Sequence, residues 1–337
     1  MTGIGVVGIE HLHLFELVGG LLDAGAELRC HAGEGDSLLD TFEAWQPSSR
    51  RCRAEDVLAD PSVDLVVVAG VPRDRAAVAL AALVSGRAVL SDKPGATTPA
   101  QLDELRAAAD AGGGRWWVLF SERFGVPAVE EAVRLARVGA VGEVVHVQGA
   151  APHRGSLGLR PDWFFDRDRT GGILVDLGSH QADQFLAVTG AGERGVPVEV
   201  VSAATGNVAA PAYPGFEDVG EMVLAAGSVR GHHRVDYLEA DGFPTWGDVR
   251  LVVTGTAGRL EVRTEVAEDG TAGSVGLWCC DHDGIRRTEV AGSADWAERL
   301  LADLADGGER LMTRDHPFLV TELTLRAAAA ARPWGGA

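Results

Sequence analysis

Ala88-Val89-Leu90-Ser91-Asp92-Lys93-Pro94 is the stretch on which the reading of the fold turns. Upstream lies Asp64-Leu65-Val66-Val67-Val68-Ala69-Gly70, a short apolar run rich in β-branched residues, of the kind that forms a buried parallel strand. Between them an alanine-rich segment from Arg73 to Ser85 has helical character and stops at Gly86. The β-α-β unit delivers Lys93 just past the carboxyl end of a parallel strand, where open α/β sheets bind their ligands. Lys93 is also the single lysine of the 337 residues, against 29 arginines. Either cation serves on a solvated surface, but only lysine offers an amine that can exchange a proton, since arginine stays charged at any useful pH. Lys93 is therefore read as a chemical group and not as surface charge.

The length suffices for two domains, each with its own core. The net charge of −19, with no basic face or tail, argues against nucleic acid and against membranes as partners. Cys30, Cys52, Cys279 and Cys280 show neither zinc-type spacing nor a catalytic signature, and Cys279-Cys280 is expected to stay reduced. No run reaches membrane-spanning length free of charge, and the chain opens in a strand without a leader pattern, so a cytoplasmic protein is expected.

Towards the amino terminus, Ile4 to Gly8 is a strand and Leu12 to Ala24 an amphipathic helix ended by Gly25. The turn between them, Gly8-Ile9-Glu10-His11-Leu12-His13, stands where a dinucleotide pyrophosphate meets backbone N–H groups and a helix dipole. Of G-x-G-x-x-G only Gly8 is present; Glu10 holds the second glycine position and His13 the third. After a second strand, Ala26 to Ala32, Glu34 is the candidate acid for the adenosine ribose, with Asp36 behind it. No arginine is adjacent in sequence to hold a 2′-phosphate, which gives NAD a weak preference over NADP, although Arg50 and Arg51 could fold back. A short helix at Glu55 to Ala59, a helix at Pro99 to Ala111 and a strand at Trp116 to Phe120 complete a doubly wound parallel sheet over residues 1–121.

Residues 122–314 have a different rhythm, α+β with a large, mainly antiparallel sheet. After a helix from Pro127 to Val138, strands are expected at 142–149, 198–207, 220–225, 229–237, 249–254, 259–264 and 275–280, most of them separated by glycine-containing turns. Gly171 to Leu186 interrupts them with helical length, and Asp176, His180, Asp183 and Gln184 recur at i, i+4, i+7 and i+8, on one face. That face is either solvated or functional; the absence of arginine from it and the glycine pair Gly171-Gly172 ahead of it favour function. His232-His233, adjacent on a strand, point to opposite faces and make no joint site. Residues 315–331 form a helix expected to pack back on the first domain, and Arg332-Pro333-Trp334 a frayed tail.

The dinucleotide-type domain, the Asp-Lys-Pro after its fifth strand and the Gly-Gly-x-x-x-Asp-x-Gly-x-His helix together resemble the Gfo/Idh/MocA family of glucose-fructose oxidoreductase and inositol dehydrogenase, over nearly the whole chain. Ala151-Pro152-His153-Arg154, Arg160 to Phe165 and Thr245-Trp246-Gly247-Asp248 look like a subgroup of predicted dehydrogenases within it. The resemblance implies a Rossmann domain and NAD(P)-dependent interconversion of a secondary alcohol and a ketone on a sugar or cyclic polyol. It implies Lys93, Asp176 and His180 as catalytic residues, with either His180 or Lys93 as proton acceptor. It further implies Gly8, Ile9, His11, Glu34, Ala69, Val71, Pro72, Asp92 and Lys93 as cofactor contacts, and Arg123, His153, Arg154, Trp163 and Gln184 as substrate contacts. No metal is expected; a hydrolase using His11, His13 and Asp176 has no spaced ligand set behind it. Glu10 and Gly33 depart from the family pattern, so a non-catalytic or cofactor-weak relative that senses a small molecule is the alternative. A homodimer or homotetramer through an apolar face of the carboxy-terminal sheet is expected.

Overall fold

The computed structural model describes residues 1–34, 37–112, 114–290, 292 and 294–335. The chain forms two compact units: Met1–Leu119 with Asp168–Thr170 and Asp295–Thr321, and Phe120–Arg167 with Gly171–Ala294 and the residues from Glu322 onward.

In the first unit strands and helices alternate: β1 (Gly3–Ile9), α1 (His13–Asp23), β2 (Glu27–Ala32), α2 (Ser37–Trp45), β3 (Arg50–Arg51), α3 (Ala54–Ala59), β4 (Leu65–Ala69), α4 (Pro72–Val84), β5 (Ala88–Asp92), α5 (Pro99–Asp110) and β6 (Trp116–Leu119). All six strands are parallel, in the order β3-β2-β1-β4-β5-β6. The order reverses between β1 and β4, and the carboxyl ends of strands at such a switch point form the ligand crevice of this architecture. Every residue of β4 and β5 is buried, as expected of strands covered on both faces. Proline at the first turn starts α4 and α5, and Thr98 and Gln101 close a capping box at α5. Two elements were not legible: α2 is only nine residues long, and β3 only two, placed by its pairing with β2. Asp36 lies outside the described residues.

The second unit contains α6 (Ser121–Phe124), α7 (Pro127–Arg137), β7 (Val144–Pro152), the start of α8 (Arg167–Thr170), α9 (Ile173–Asp176), α10 (Gly178–Thr189), β8 (Val198–Gly206), β9 (Val219–Ala226), β10 (Val229–Asp236), β11 (Arg250–Gly255), β12 (Arg259–Val266), β13 (Ala272–Asp281) and β14 (Gly284–Thr288). The chain then passes through α11 (Trp296–Asp306), which belongs to the first unit, and α12 (His316–Ala330), which belongs to it as far as Thr321, and ends in β15 (Arg332–Pro333). The sheet order is β14-β13-β12-β11-β7-β10-β9-β8-β15, antiparallel except for β7 with β10 and β8 with β15.

Arg332-Pro333 is thus not frayed: it pairs with Ala204 and Thr205, and Trp334 N donates to Thr205 O at 2.7 Å, because edge strand β8 offers unpaired backbone groups. The expected single helix is two, α9 and α10, joined through Leu177 in αR conformation, so the helical path is nearly continuous. The uncovered side of β10 presents exposed Arg230, His232 and Arg234, which corrects the expectation of an apolar face.

Along the inner face α10 lies close on the sheet because β7 and β10 carry Gly149 and Gly231. A Cβ on Gly149 would stand 1.9 Å from Oε1 of Gln181, and one on Gly231 2.6 Å from the Phe185 ring. Gly149→Ala is therefore expected to destabilise the protein by roughly 1–3 kcal/mol, the usual cost of overpacking. Urea denaturation checks this, and an unchanged midpoint would show that Gln181 moves aside without cost.

Candidate functional site

In the first unit the chemistry gathers on one carboxylate. Asp92, at the end of β5, is 1% exposed. Its Oδ2 lies 2.6 Å from Nδ1 of His11 and 3.0 Å from Nη2 of Arg75, and its Oδ1 lies 2.9 Å from Nδ1 of His13. Arg75, fully buried on α4, also donates through Nε to Gly70 O at 2.7 Å and through Nη1 to the carbonyl of Lys93. One guanidinium thus ties the ends of β4 and β5 together and fixes the backbone of the lone lysine. Burial pushes the Asp92 carboxyl upward, but Arg75, then His11 and His13, outweigh it and hold it well below the usual carboxylate range. Burial takes His11 down to about 4, against the opposing pull of Asp92.

His11, His13 and Asp92 place three possible ligand atoms within 4.8 Å of one another. Arg75 already supplies positive charge to the same carboxylate, so the geometry is that of a buried ion pair flanked by two histidines.

The residues at the switch point fit a dinucleotide. Gly8 has φ +86°, and a Cβ there would stand 2.5 Å from the backbone of Gly70, so only glycine allows β1 and β4 to approach at this turn. Beside it opens a cleft of about 880 Å³ lined by Gly8, Glu10, Gly33, Glu34, Arg51 and Arg53. Of the Glu10 carboxylate, Oε2 is buried, beside the positions that side chains on Gly8 and Gly70 would fill. Gly33 makes room for Ile9, whose side chain lies against it. Glu34 is exposed at the cleft. Arg51 does fold back, with Nη2 3.5 Å from Gly33 O, because β3 pairs with β2. Arginines therefore do flank Glu34, through a pairing that the sequence neighbourhood hides. Ala69 accepts from Glu10 N, and Val71 and Pro72 start α4. The Asp92 carboxylate is hydrogen-bonded to His13 and lies at ion-pair distance from His11 and Arg75. Lys93 is 3% exposed.

In the second unit α10 is buried along nearly its whole length, including the polar stripe, which rules out a solvated face. The stripe divides by role. Asp183 takes a bidentate pair from Arg123 at 2.7 and 2.6 Å, with Arg123 stacked 3.7 Å over Phe124, so Arg123 is committed to this ion pair and is not a substrate contact. Gln181, which the periodicity passed over, donates to Glu122 at 3.1 Å, and Nε2 of His153 lies 3.6 Å from the other oxygen of Glu122. Gln184 is 1% exposed and neither of its amide atoms has a partner among the described residues. His180 is buried, and Asp176 at the end of α9 accepts from the hydroxyl of Tyr237 at 2.6 Å. Burial, then Asp176, push that phenol well above its ordinary range. The close neighbour of the glycine pair is Glu217, which accepts from Ile173 N at 2.9 Å and from Arg167; no ligand is needed to explain Gly172.

The three sequence segments that marked the subgroup meet around Asp176 and Tyr237. Arg154 N donates to Trp246 O at 2.9 Å, Asp248 N to Pro152 O at 3.0 Å and His153 N to Asp236 O at 2.7 Å. The Arg154 side chain is spent on the carbonyls of Phe243 and Thr245 and positions that loop. Phe164 packs against Tyr237, Phe216, Phe165 and Trp163, so the Trp163-Phe164-Phe165 run is largely a packing cluster. Sequence reasoning missed Arg75, Arg160 and Tyr237. Tyr237 carried a signal in its rarity, since the chain has two tyrosines.

Stability should fall as the pH drops from about 6.5 towards about 4. Over that range unfolded chains protonate His11 and the folded protein does not, so protons favour unfolding. His233, taken down to about 3 chiefly by burial, adds to the same trend. Urea midpoints across this range should fall less steeply in His11→Gln than in the wild type; equal slopes would show that His11 titrates normally.

The amino-terminal part of the chain, residues 27–120, matches a family described as oxidoreductases with an NAD-binding Rossmann fold, GFO/IDH/MocA, and residues 129–261 match the GFO/IDH/MocA C-terminal domain. No curated protein matched the sequence. Among solved structures, a protein from Erwinia carotovora atroseptica provisionally described as an oxidoreductase is 32% identical, with a TM-score of 0.93 over 99% of this chain and 100% of that one. KijD10, a 3-ketoreductase from Actinomadura kijaniata in complex with NADP, is 18% identical with a TM-score of 0.78 over 98% of both chains. An aldose-aldose oxidoreductase from Caulobacter crescentus is 20% identical with a TM-score of 0.78, again over 98% of both. The two matched regions and the full-length 32% likeness agree, and the protein belongs to the GFO/IDH/MocA family of NAD-binding oxidoreductases.

Proposed function

We propose that the protein interconverts a secondary alcohol and a ketone on a sugar, cyclic polyol or related small molecule, using NAD or NADP. The observation that carries this reading is Lys93, the single lysine, set at the carboxyl end of β5 with its carbonyl held by the buried Arg75 and Asp92 beneath. When bound, the nicotinamide exchanges hydride with the carbinol carbon. The protein's own groups do the rest. The Lys93 ammonium stabilises negative charge on the substrate oxygen as the hydroxyl proton leaves. His180 is of the residue type suited to take that proton near neutral pH. Asp176, which accepts from the Tyr237 hydroxyl, would orient His180. Gly8, the backbone of the following turn and Glu34 would hold the cofactor. Glu34 suits a ribose 2′-hydroxyl and Arg51 and Arg53 a 2′-phosphate, which removes the basis for preferring NAD.

Titration of the purified protein with NADH and NADPH, followed by nicotinamide fluorescence, is expected to show micromolar binding of at least one. No binding of either to folded protein would overturn the reading in favour of a small-molecule sensor. In a polyol and sugar screen, Lys93→Arg is expected to keep cofactor binding and lose turnover; wild-type turnover in that variant would remove the lysine from the chemistry.

We also propose a homodimer or homotetramer through the uncovered face of the second unit's sheet, a contact that would be polar along β10, where Arg230, His232 and Arg234 are exposed. Light scattering should give a multiple of 35.3 kDa at micromolar concentration, and a monomer would overturn this.

A further inference from the structure

We propose that the substrate carries a carboxylate and that Arg160 receives it, so that the ligand class is a sugar acid, a uronate or aldonate, in place of a neutral polyol. This rests on the reading of Asp176 and its surroundings as the substrate site.

Arg160 stands at the point where the three subgroup segments converge. Its guanidinium carbon lies 4.4 Å from the centroid of Phe164, 4.8 Å from that of Trp246 and 5.9 Å from that of Tyr237, the residue bonded to Asp176. Its hydrogen bonds go only to main-chain carbonyls: Nε to Gly155 O at 3.0 Å and Nη2 to Arg154 O at 3.4 Å. It has no ion pair with any carboxylate among the described residues, in contrast to Arg75 on Asp92 and Arg123 on Asp183. Asp176 acts on it only from beyond ion-pair distance.

Stacking occupies the faces of a guanidinium and leaves its donor edge in the plane. Two main-chain bonds use part of that edge, and Nη1 has no acceptor among the described residues. The remaining donors have the planar spacing that pairs with a carboxylate. Trp246, over which the guanidinium lies, is 47% exposed and keeps an indole surface open to solvent. Such a ring packs against the apolar face of a sugar while the cation takes its acid. In a chain of net charge −19 an anion needs a local cation to approach at all, and it needs one most beside Asp176.

The competing role for Arg160 is a brace that holds the 154–155 carbonyls. The two roles separate by ligand charge: loss of a brace weakens all ligands alike, and loss of an anion receptor weakens acids alone. The experiment is a tryptophan-fluorescence titration of the full chain at fixed ionic strength. The probes are D-glucuronate, D-galacturonate and D-gluconate against D-glucose, D-galactose and myo-inositol. At least one acid should bind roughly tenfold or more tightly than its neutral counterpart, with Arg160→Gln abolishing the preference and Arg160→Lys retaining part of it. Should Arg160→Gln fail to fold, the wild-type preference must still shrink as salt is raised. Equal binding of acids and neutral sugars, binding of no acid, or a preference that survives Arg160→Gln would each overturn the proposal. The NADH and NADPH titration is a separate readout, so failure of the dehydrogenase reading and failure of this one remain distinguishable.

Discussion

The ion pair between Arg75 and Asp92 sits out of reach of solvent, and the amino-terminal site depends on it. Desolvating two charges is costly, and only well-formed additional bonds offset that cost. Here they are formed: the carboxylate also meets His11 and His13, and the guanidinium closes onto the carbonyls of Gly70 and Lys93. Removing one partner from such a pair typically costs about 3–5 kcal/mol, because the other charge is left buried and alone. The same bonds fix where β4 and β5 end, and hence where Lys93 begins. Stability and site geometry are therefore one problem in this unit.

The second unit solves a similar problem with packing. Gly149 and Gly231 let α10 sit low on the sheet, and its polar groups are then buried and must find partners within the protein. Asp183 finds Arg123, Gln181 finds Glu122 and Asp176 finds Tyr237, while the amide of Gln184 has no partner among the described residues. Close to Tyr237, the partner of Asp176, Arg160 lies among the rings of Phe164 and Trp246.

Much of this was legible in the chain because it is written in local patterns. A run such as Leu65 to Val68, buried throughout, announces a strand covered on both faces. Pro99 after Thr98 announces a helix start, and the run Ala88-Val89-Leu90 announces the buried strand that ends just before Lys93. Elements without such patterns escaped: β14, whose five residues carry two arginines on an exposed edge, and β15, which exists only because β8 offers it an edge. The phosphate turn was legible only in part. Its missing glycines were plain, but the close approach of Glu10 Oε2 to Gly70, sixty residues away, was not.

The sequence by itself determined the alternation of strands and helices, the placing of Lys93 at a strand end and the spacing of Asp176 and His180, because each follows from residue type and period within a short window. Which partner each charge takes was decided only by the tertiary structure. Arg123 was assigned to substrate and lies with Asp183; Arg51, which the sequence only allowed to fold back, lines the cleft with Glu34; Arg160, named only as the start of a subgroup segment, stands among three rings. A charged side chain reaches in any direction, and its partner is set by strand pairing and burial across long sequence separations, which no local pattern encodes.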